Sequence, residues 1–84
     1  MSYRIVILAS AEREIDKLPA DIRRRIVKRI LSLEQDPRPN GAIKMQGAET
    51  YRVRVGDYRV VYTIEDSVQI VTVIHTGHRR DVYR

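Results

Sequence analysis

Apolar and polar residues alternate along Tyr51-Arg-Val-Arg-Val55, the period of a strand with one buried face. Gly56-Asp57 follows directly and predicts a two-residue hairpin turn. That turn pairs Val55 with Tyr58 and Arg54 with Arg59. A second strand runs from Tyr58 to Ile64. A third covers Val68 to Thr76, after a turn at Glu65-Asp66-Ser67. The last two carry apolar residues on both alternations: Val60, Tyr62 and Ile64 against Val61, and Val71 and Val73 against Val68, Ile70 and Ile74. Such strands belong in the middle of a sheet covered on at least one face. At the other end of the chain, Tyr3–Leu8 is rich in β-formers and reads as an earlier strand.

Between these strands the period lengthens. Ser10 is the expected N-cap of a short helix from Ala11 to about Leu18, with Arg13 where a capping box would place Glu or Gln. Pro19 interrupts it, and Asp21 suits the start of a second helix running from about Ala20 to Gln35. Ile22, Ile26, Ile30 and Leu33 fall on one stripe of that helix, with Val27 and Leu31 widening it. Asp36-Pro-Arg-Pro-Asn-Gly41 stops the helix, and the stretch from Ala42 to Glu49 reads as a loop. The predicted order is β-α-α-β-β-β. This is an α+β fold in which two helices pack on a mostly antiparallel four-stranded sheet, and residues 1–84 make a single small domain.

Composition narrows the chemistry. The 84 residues are 43% hydrophobic and 32% charged, a globular balance. Net charge is +5, and 13 of the 16 basic residues are arginine, which favours recognition of phosphate or carboxylate. An acidic protein partner fits the same charge. Absence of cysteine excludes disulfides, thiolate metal sites and cysteine nucleophiles. The start, Met-Ser-Tyr-Arg-Ile-Val, is too short and polar for a signal peptide, and no apolar run approaches membrane-spanning length. A cytoplasmic protein with no membrane contact is the expectation.

Arg52 lies two residues before Arg54 and so points to the same face of its strand. With Arg59 opposite Arg54, three guanidinium groups share one patch. Like charges directly opposite each other destabilise a sheet, so a chain that keeps them has a use for them. A planar fork of donors matches phosphate, which makes a nucleic-acid backbone the leading ligand; a solvated basic face is the alternative. Arg24, Arg25 and Lys28 lie opposite the apolar stripe of the second helix, with Arg23 and Arg29 at its edges. The ordinary reading of that run is a solvated face, the functional one nucleic-acid contact. Gly77 is expected to end the last strand and allow a change of direction, letting His78, Arg79 and Tyr83 fold toward the arginine patch. His75 and His78 are the groups that titrate near neutrality at their ordinary pKa. His75, within a strand, reads as packed or partly exposed, and His78 is the better acid–base candidate. Their spacing is a weak metal signal, so neither metal nor cofactor is expected.

The segment Tyr51-Arg-Val-Arg-Val-Gly-Asp-Tyr-Arg-Val-Val-Tyr62, followed by a β run and Gly77-His-Arg-Arg-Asp-Val-Tyr83, resembles the RelE branch of the RelE/ParE toxin superfamily. So do the helical hairpin at Leu18-Pro19 and the helix stop at Asp36-Pro37. The resemblance covers nearly the whole chain. It implies the toxin of a type II toxin–antitoxin pair, an endoribonuclease that enters the ribosomal decoding site, cuts messenger RNA without a metal and so inhibits translation. It also implies a cognate antitoxin as partner, with promoter DNA reached only indirectly through that antitoxin. By position it assigns catalytic roles to Arg52, Arg54, Arg59, Arg79 and Tyr83. Beside these, the basic residues Lys44 and Arg80 are expected to contact RNA, and His78 stands as a possible acid–base group from its place in the tail alone. Lysines often stand at the positions of Arg52 and Arg54 in RelE-like enzymes, one of them as proposed general base. Arginine does not readily lose its proton, so proton transfer falls to His78 or Tyr83, or catalysis rests on position and charge. ParE-like relatives share the fold, inhibit DNA gyrase by binding it and lack this basic set. A non-catalytic relative that only binds antitoxin or RNA is a further alternative.

Overall fold

Residues 2–45 and 49–78 of this computed structural model are described below. They form a five-stranded mixed sheet with strand order β1-β5-β4-β3-β2 and two helices on one face. The strands are β1 (Arg4–Ile7), β2 (Ile43–Lys44), β3 (Thr50–Val55), β4 (Tyr58–Glu65) and β5 (Ile70–His78). The helices are α1 (Ala9–Asp16) and α2 (Ala20–Ser32). β1 pairs with β5 in parallel, and the other three pairings are antiparallel. The class matches the expectation, with one strand more. β2 lies in the stretch read as a loop, where it pairs Ile43 with Arg52 and Lys44 with Tyr51. Two residues are too few to display a period.

The hairpin forms as its turn chemistry requires. Gly56 has φ +60°, a conformation open to glycine, and the register pairs Arg54 with Arg59 and Val55 with Tyr58. Tyr51, Val53 and Val55 of β3, with Val60, Tyr62 and Ile64 of β4 and Val71 and Val73 of β5, are buried on the helix-bearing face. Ala11 and Ile15 of α1, Ile26 and Ile30 of α2, and Leu33 close the same core. β4 and β5 lie inside the sheet, as their double apolar pattern demands.

Helix boundaries differ from the sequence reading in instructive ways. α1 begins at Ala9 behind an extended Leu8 that makes no side-chain cap bond, so Ser10 sits inside the first turn rather than at the N-cap. β1 leads directly into this turn. The Leu8 amide still pairs with the Val73 carbonyl at 3.0 Å while its own carbonyl accepts from Glu12 at 2.9 Å. Extended Pro19 precedes α2. α2 ends at Ser32, and the amides of Leu33, Glu34 and Gln35 bond to carbonyls three residues back. The expected final turn thus tightens into i→i−3 geometry, a common helix ending. Val27 and Leu31 do not widen the buried stripe: they are 38% and 52% exposed, because a single helix crossing a sheet buries one line of contact.

The loop after α2 is locked by Arg38. Its guanidinium contacts Asp66 at 2.8 Å and Glu49 at 3.4 Å, donates to the Tyr51 hydroxyl at 3.0 Å and lies 5.2 Å from the centre of the Tyr51 ring. Tyr3 donates to Asp66 at 2.7 Å. Beneath this junction the buried Tyr62 hydroxyl donates to the Pro37 carbonyl at 2.7 Å, and burial pushes its pKa up to about 12. Hydrogen bonds from Arg38 and Tyr3 hold Asp66 below the ordinary carboxylate range; bonds from Lys44 and Tyr51 do the same for Glu49. A lowered folded-state pKa gives stability that is fully present above the unfolded value and lost as pH falls through the folded one. The unfolded references are 3.8 for Asp66 and 4.5 for Glu49. Thermal stability should therefore be flat from neutrality to about pH 5 and decline below about pH 4. Asp66→Asn should lower the melting temperature at pH 7 and flatten part of the acid decline. Both carboxylates are about half exposed, so solvent screens their contribution to stability. Calorimetric melts of both proteins across that range make the measurement; an identical acid slope for Asp66→Asn would discard this account.

Candidate functional site

The sheet face away from the helices carries the arginines. Arg52 and Arg54 alternate with the buried Tyr51, Val53 and Val55, and directly opposed residues of an antiparallel pair share a face. Two cross-strand rows result. One runs Arg54, Arg59, Gly77 and the other Arg52, Val61, His75. Gly77, expected to end the last strand, lies inside β5 opposite Arg59, so the β5 residue directly across from that arginine adds no side chain. Val61 is buried on this face, although it belongs to no part of the main core cluster. The Nε atoms of Arg52 and Arg59 are likewise withdrawn from solvent, while Arg54 is exposed. Two of the three arginines are therefore anchored along their stems, which limits how far their terminal nitrogens can wander. Preorganised donors of this kind stabilise developing negative charge without reorganising.

The histidines exchange the places expected of them. His78 is in register with Tyr58, and their rings meet edge to face at 5.6 Å. Tyr58 packs against the helix-side core, so His78 lies on the face opposite the arginine patch. There it lines a cavity of about 360 Å³ with Glu14, Lys17, Leu18, Tyr58, Thr76 and Gly77. His75 is the histidine in register with the patch, opposite Val61. Its Nδ1 lies 3.5 Å from the Glu14 carboxylate, which also accepts the Thr76 amide at 3.2 Å. α1 thus supplies at the sheet edge the acceptor that β1, ending at Ile7, no longer provides.

Lys44 does not join the patch. Its partner Tyr51 faces the helices, and its Nζ lies 3.3 Å from Glu49. Arg79, Arg80 and Tyr83 lie outside the described residues. Among the described residues no group of three or more His, Asp or Glu side chains is placed to hold a metal ion, and no helix is long and apolar enough to cross a membrane. The sequence assigns Arg38 no role. Its one signal is position, an arginine between two prolines at the helix stop.

A strand pair presenting opposed arginines, backed by a helical hairpin on the far face, now stands beside an independent finding. The family described as "ParE toxin of type II toxin-antitoxin system, parDE" matches residues 5–83. The chain belongs to this RelE/ParE toxin family. It is 31% identical over 86 residues to Toxin RelG of Mycobacterium tuberculosis, covering 100% of this chain and 99% of that protein. It is 34% identical over 84 residues to Toxin RelE of the same organism, covering 98% and 87% respectively. Among solved structures, the archaeal RelE–RelB complex from Pyrococcus horikoshii contains a chain that superposes with a TM-score of 0.85 at 29% identity, covering 96% of this chain and 99% of that one. The RelE/ParE toxin is thus recognisable both by sequence and by fold, and the arginine rows lie within the matched span.

Proposed function

We propose that this RelE/ParE toxin is a metal-independent endoribonuclease that cuts messenger RNA in the ribosomal decoding site, and that the arginine face is where the scissile phosphate sits. The observation that carries this reading is the opposed pair Arg54 and Arg59 with Arg52 beside them. The fold bears the electrostatic cost of three like charges on one sheet face, and an anion offsets it.

The chemistry follows from the residue types. The ribose 2′-oxygen forms a bond to the adjacent phosphorus, and the phosphorus–5′-oxygen bond breaks. A 2′,3′-cyclic phosphate and a 5′-hydroxyl result. The 2′-hydroxyl loses a proton and the departing 5′-oxygen gains one. Charge rises on the non-bridging oxygens during this exchange, and guanidinium forks stabilise it there. The arginines keep their protons throughout, so their contribution is charge and position. Arg79 is a further candidate phosphate ligand, and Tyr83 a candidate to stack on a base and align the attacking oxygen. Arg80 is a candidate RNA contact.

His78, on the helix side of the sheet, takes no direct part in this scheme. His78→Gln should leave single-turnover cleavage within about threefold of wild type, short of the 10²–10⁴ expected for loss of a general acid or base. A loss of about a hundredfold or more, with the pH profile flattened, would return His78 to the chemistry.

A cognate antitoxin is the second partner. The RelE of Pyrococcus horikoshii was solved with RelB, and a +5 domain suits an acidic chain that folds on binding. The decisive experiment adds purified toxin to ribosomes programmed with a defined message and maps new 5′ ends. Cuts in the decoding-site codon are expected. The family description carries the ParE name, so gyrase supercoiling is assayed in parallel. Inhibition of supercoiling with intact messenger RNA would replace this reading with gyrase binding.

A further inference from the structure

The basic side of α2 is not merely solvated. Arg25, Lys28, Arg29 and Ser32 form one wall of a groove of about 470 Å³ whose other wall is Arg54, Val55 and Gly56 of the hairpin. Their spacing of three, four and seven residues puts all four helical positions on one line of the helix, about 10 Å long. The open wall exists because β2 is only two residues long. It pairs with Arg52 and Tyr51 and stops, which leaves the outer edge of β3 uncovered by any described strand from Val53 to the turn. The Arg25 guanidinium reaches that turn, with its Nη2 3.6 Å from where a Cβ on Gly56 would stand. Arg29 donates at 3.5 Å to the Asn40 carbonyl. Among the described residues, Arg25, Lys28 and Arg54 have no carboxylate within ion-pair distance. Asp57, in the turn itself, is the nearest acidic residue in sequence to that wall.

Arg54 belongs to both surfaces. It lines the groove and stands opposite Arg59 in the patch. We infer that the groove is a second polyanion site, taking the phosphodiester backbone of RNA where it passes around the open edge of β3 from the arginine patch. The inference rests on the RNA reading of the patch and extends it to residues on the other side of the sheet. RNA is favoured over an acidic peptide by the lining. Val55 is the one apolar side chain in it, too little for the apolar face of a bound helix. A strip suited to such a helix lies farther round α2, where exposed Val27 and Leu31 are flanked by Arg23, Arg24 and Lys28. Walls that carry four cationic side chains and a single apolar one match a phosphate backbone.

The test measures binding without cleavage, so that it stands apart from the enzymatic reading. The probe is a short fluorescein-labelled RNA, 2′-O-methylated to prevent cutting, titrated at several salt concentrations. Each phosphate contact to a single strand contributes about 0.7 to the slope of log affinity against log salt. Arg25→Gln/Lys28→Gln should reduce the slope by about 1.4 and weaken binding about 25-fold at 0.1 M salt. Arg25→Lys/Lys28→Arg should restore both. Arg13→Gln/Lys17→Gln removes the same net charge from α1 and the residue that follows it, and should leave the slope unchanged and the affinity within about twofold. Thermal melts establish that each variant is folded. An unchanged slope in folded Arg25→Gln/Lys28→Gln overturns the inference. So does an equal loss in the α1 pair, which would reduce the effect to net charge. Loss of binding to an acidic peptide with RNA binding intact would assign the groove to a protein partner instead. If Arg52→Gln/Arg59→Gln leaves RNA affinity unchanged while the groove variant loses it, the patch reading fails and the groove stands.

Discussion

Arg59→Ala should lower single-turnover messenger RNA cleavage on programmed ribosomes by about 10²–10³-fold, the loss typical of removing one preorganised donor, about 2.7–4 kcal/mol of transition-state stabilisation. Its position makes it the central donor. It pairs across the hairpin with Arg54 and on its other side with Gly77, the one residue type that adds no side chain to the row. Its stem is packed on the sheet, with Nε withdrawn from solvent. Arg59→Lys separates charge from geometry: an ammonium keeps the charge but loses the planar fork, so its rate should fall between those of wild type and Arg59→Ala. In cells, induction of Arg59→Ala should no longer arrest growth. A folded Arg59→Ala toxin that cleaves at the wild-type rate would remove Arg59 from the site. Messenger RNA cleavage without ribosomes at an equal rate would remove the decoding-site scheme as well.

The arginine patch was legible in the sequence because each step used a strong local rule. Gly56-Asp57 fixes the turn, the turn fixes the register, and strict alternation fixes the face of Arg52, Arg54 and Arg59. The histidines were not legible, and the reason is one residue. Tyr62 pairs with Val73 and Val61 with His75, so Ile74 is an extra residue in β5. Counted by twos from the buried Val73, His75 would face the helices and His78 the arginines. The bulge shifts the phase and exchanges them, bringing Thr76 and His78 to the helix side. A bulge leaves no periodic signature in a run of β-branched residues such as Val71-Thr-Val-Ile74, yet it reverses every side chain beyond it. Arg38 was illegible for a different reason. Its partners Glu49, Tyr51 and Asp66 come from separate elements, and only the closed sheet brings them within reach.

The helical layer supplies the other large effect. Ile26→Ala should destabilise the isolated toxin by about 2–5 kcal/mol, the range for truncating a large aliphatic side chain in a core. Ile26 is fully buried in the middle of α2, within one cluster that includes Val53, Val60 and Val73. A chain of 84 residues has a total stability of about 4–13 kcal/mol at 0.05–0.15 kcal/mol per residue, so this single change removes a large share. Leu31→Ala removes the same class of side chain from the same helix at a site that is 52% exposed, and should cost no more than about 0.5 kcal/mol. The contrast measures where the buried stripe of α2 ends. Denaturant titration of the three proteins gives both values from the midpoints, provided the slopes agree. A Leu31→Ala loss equal to that of Ile26→Ala would place Leu31 in the core, as the helical period alone suggested. A small loss confirms that α2 meets the sheet along the line of Ile22, Ile26, Ile30 and Leu33. That line is what turns Arg25, Lys28 and Arg29 toward the hairpin edge, so the packing of the helix sets the direction of its charges.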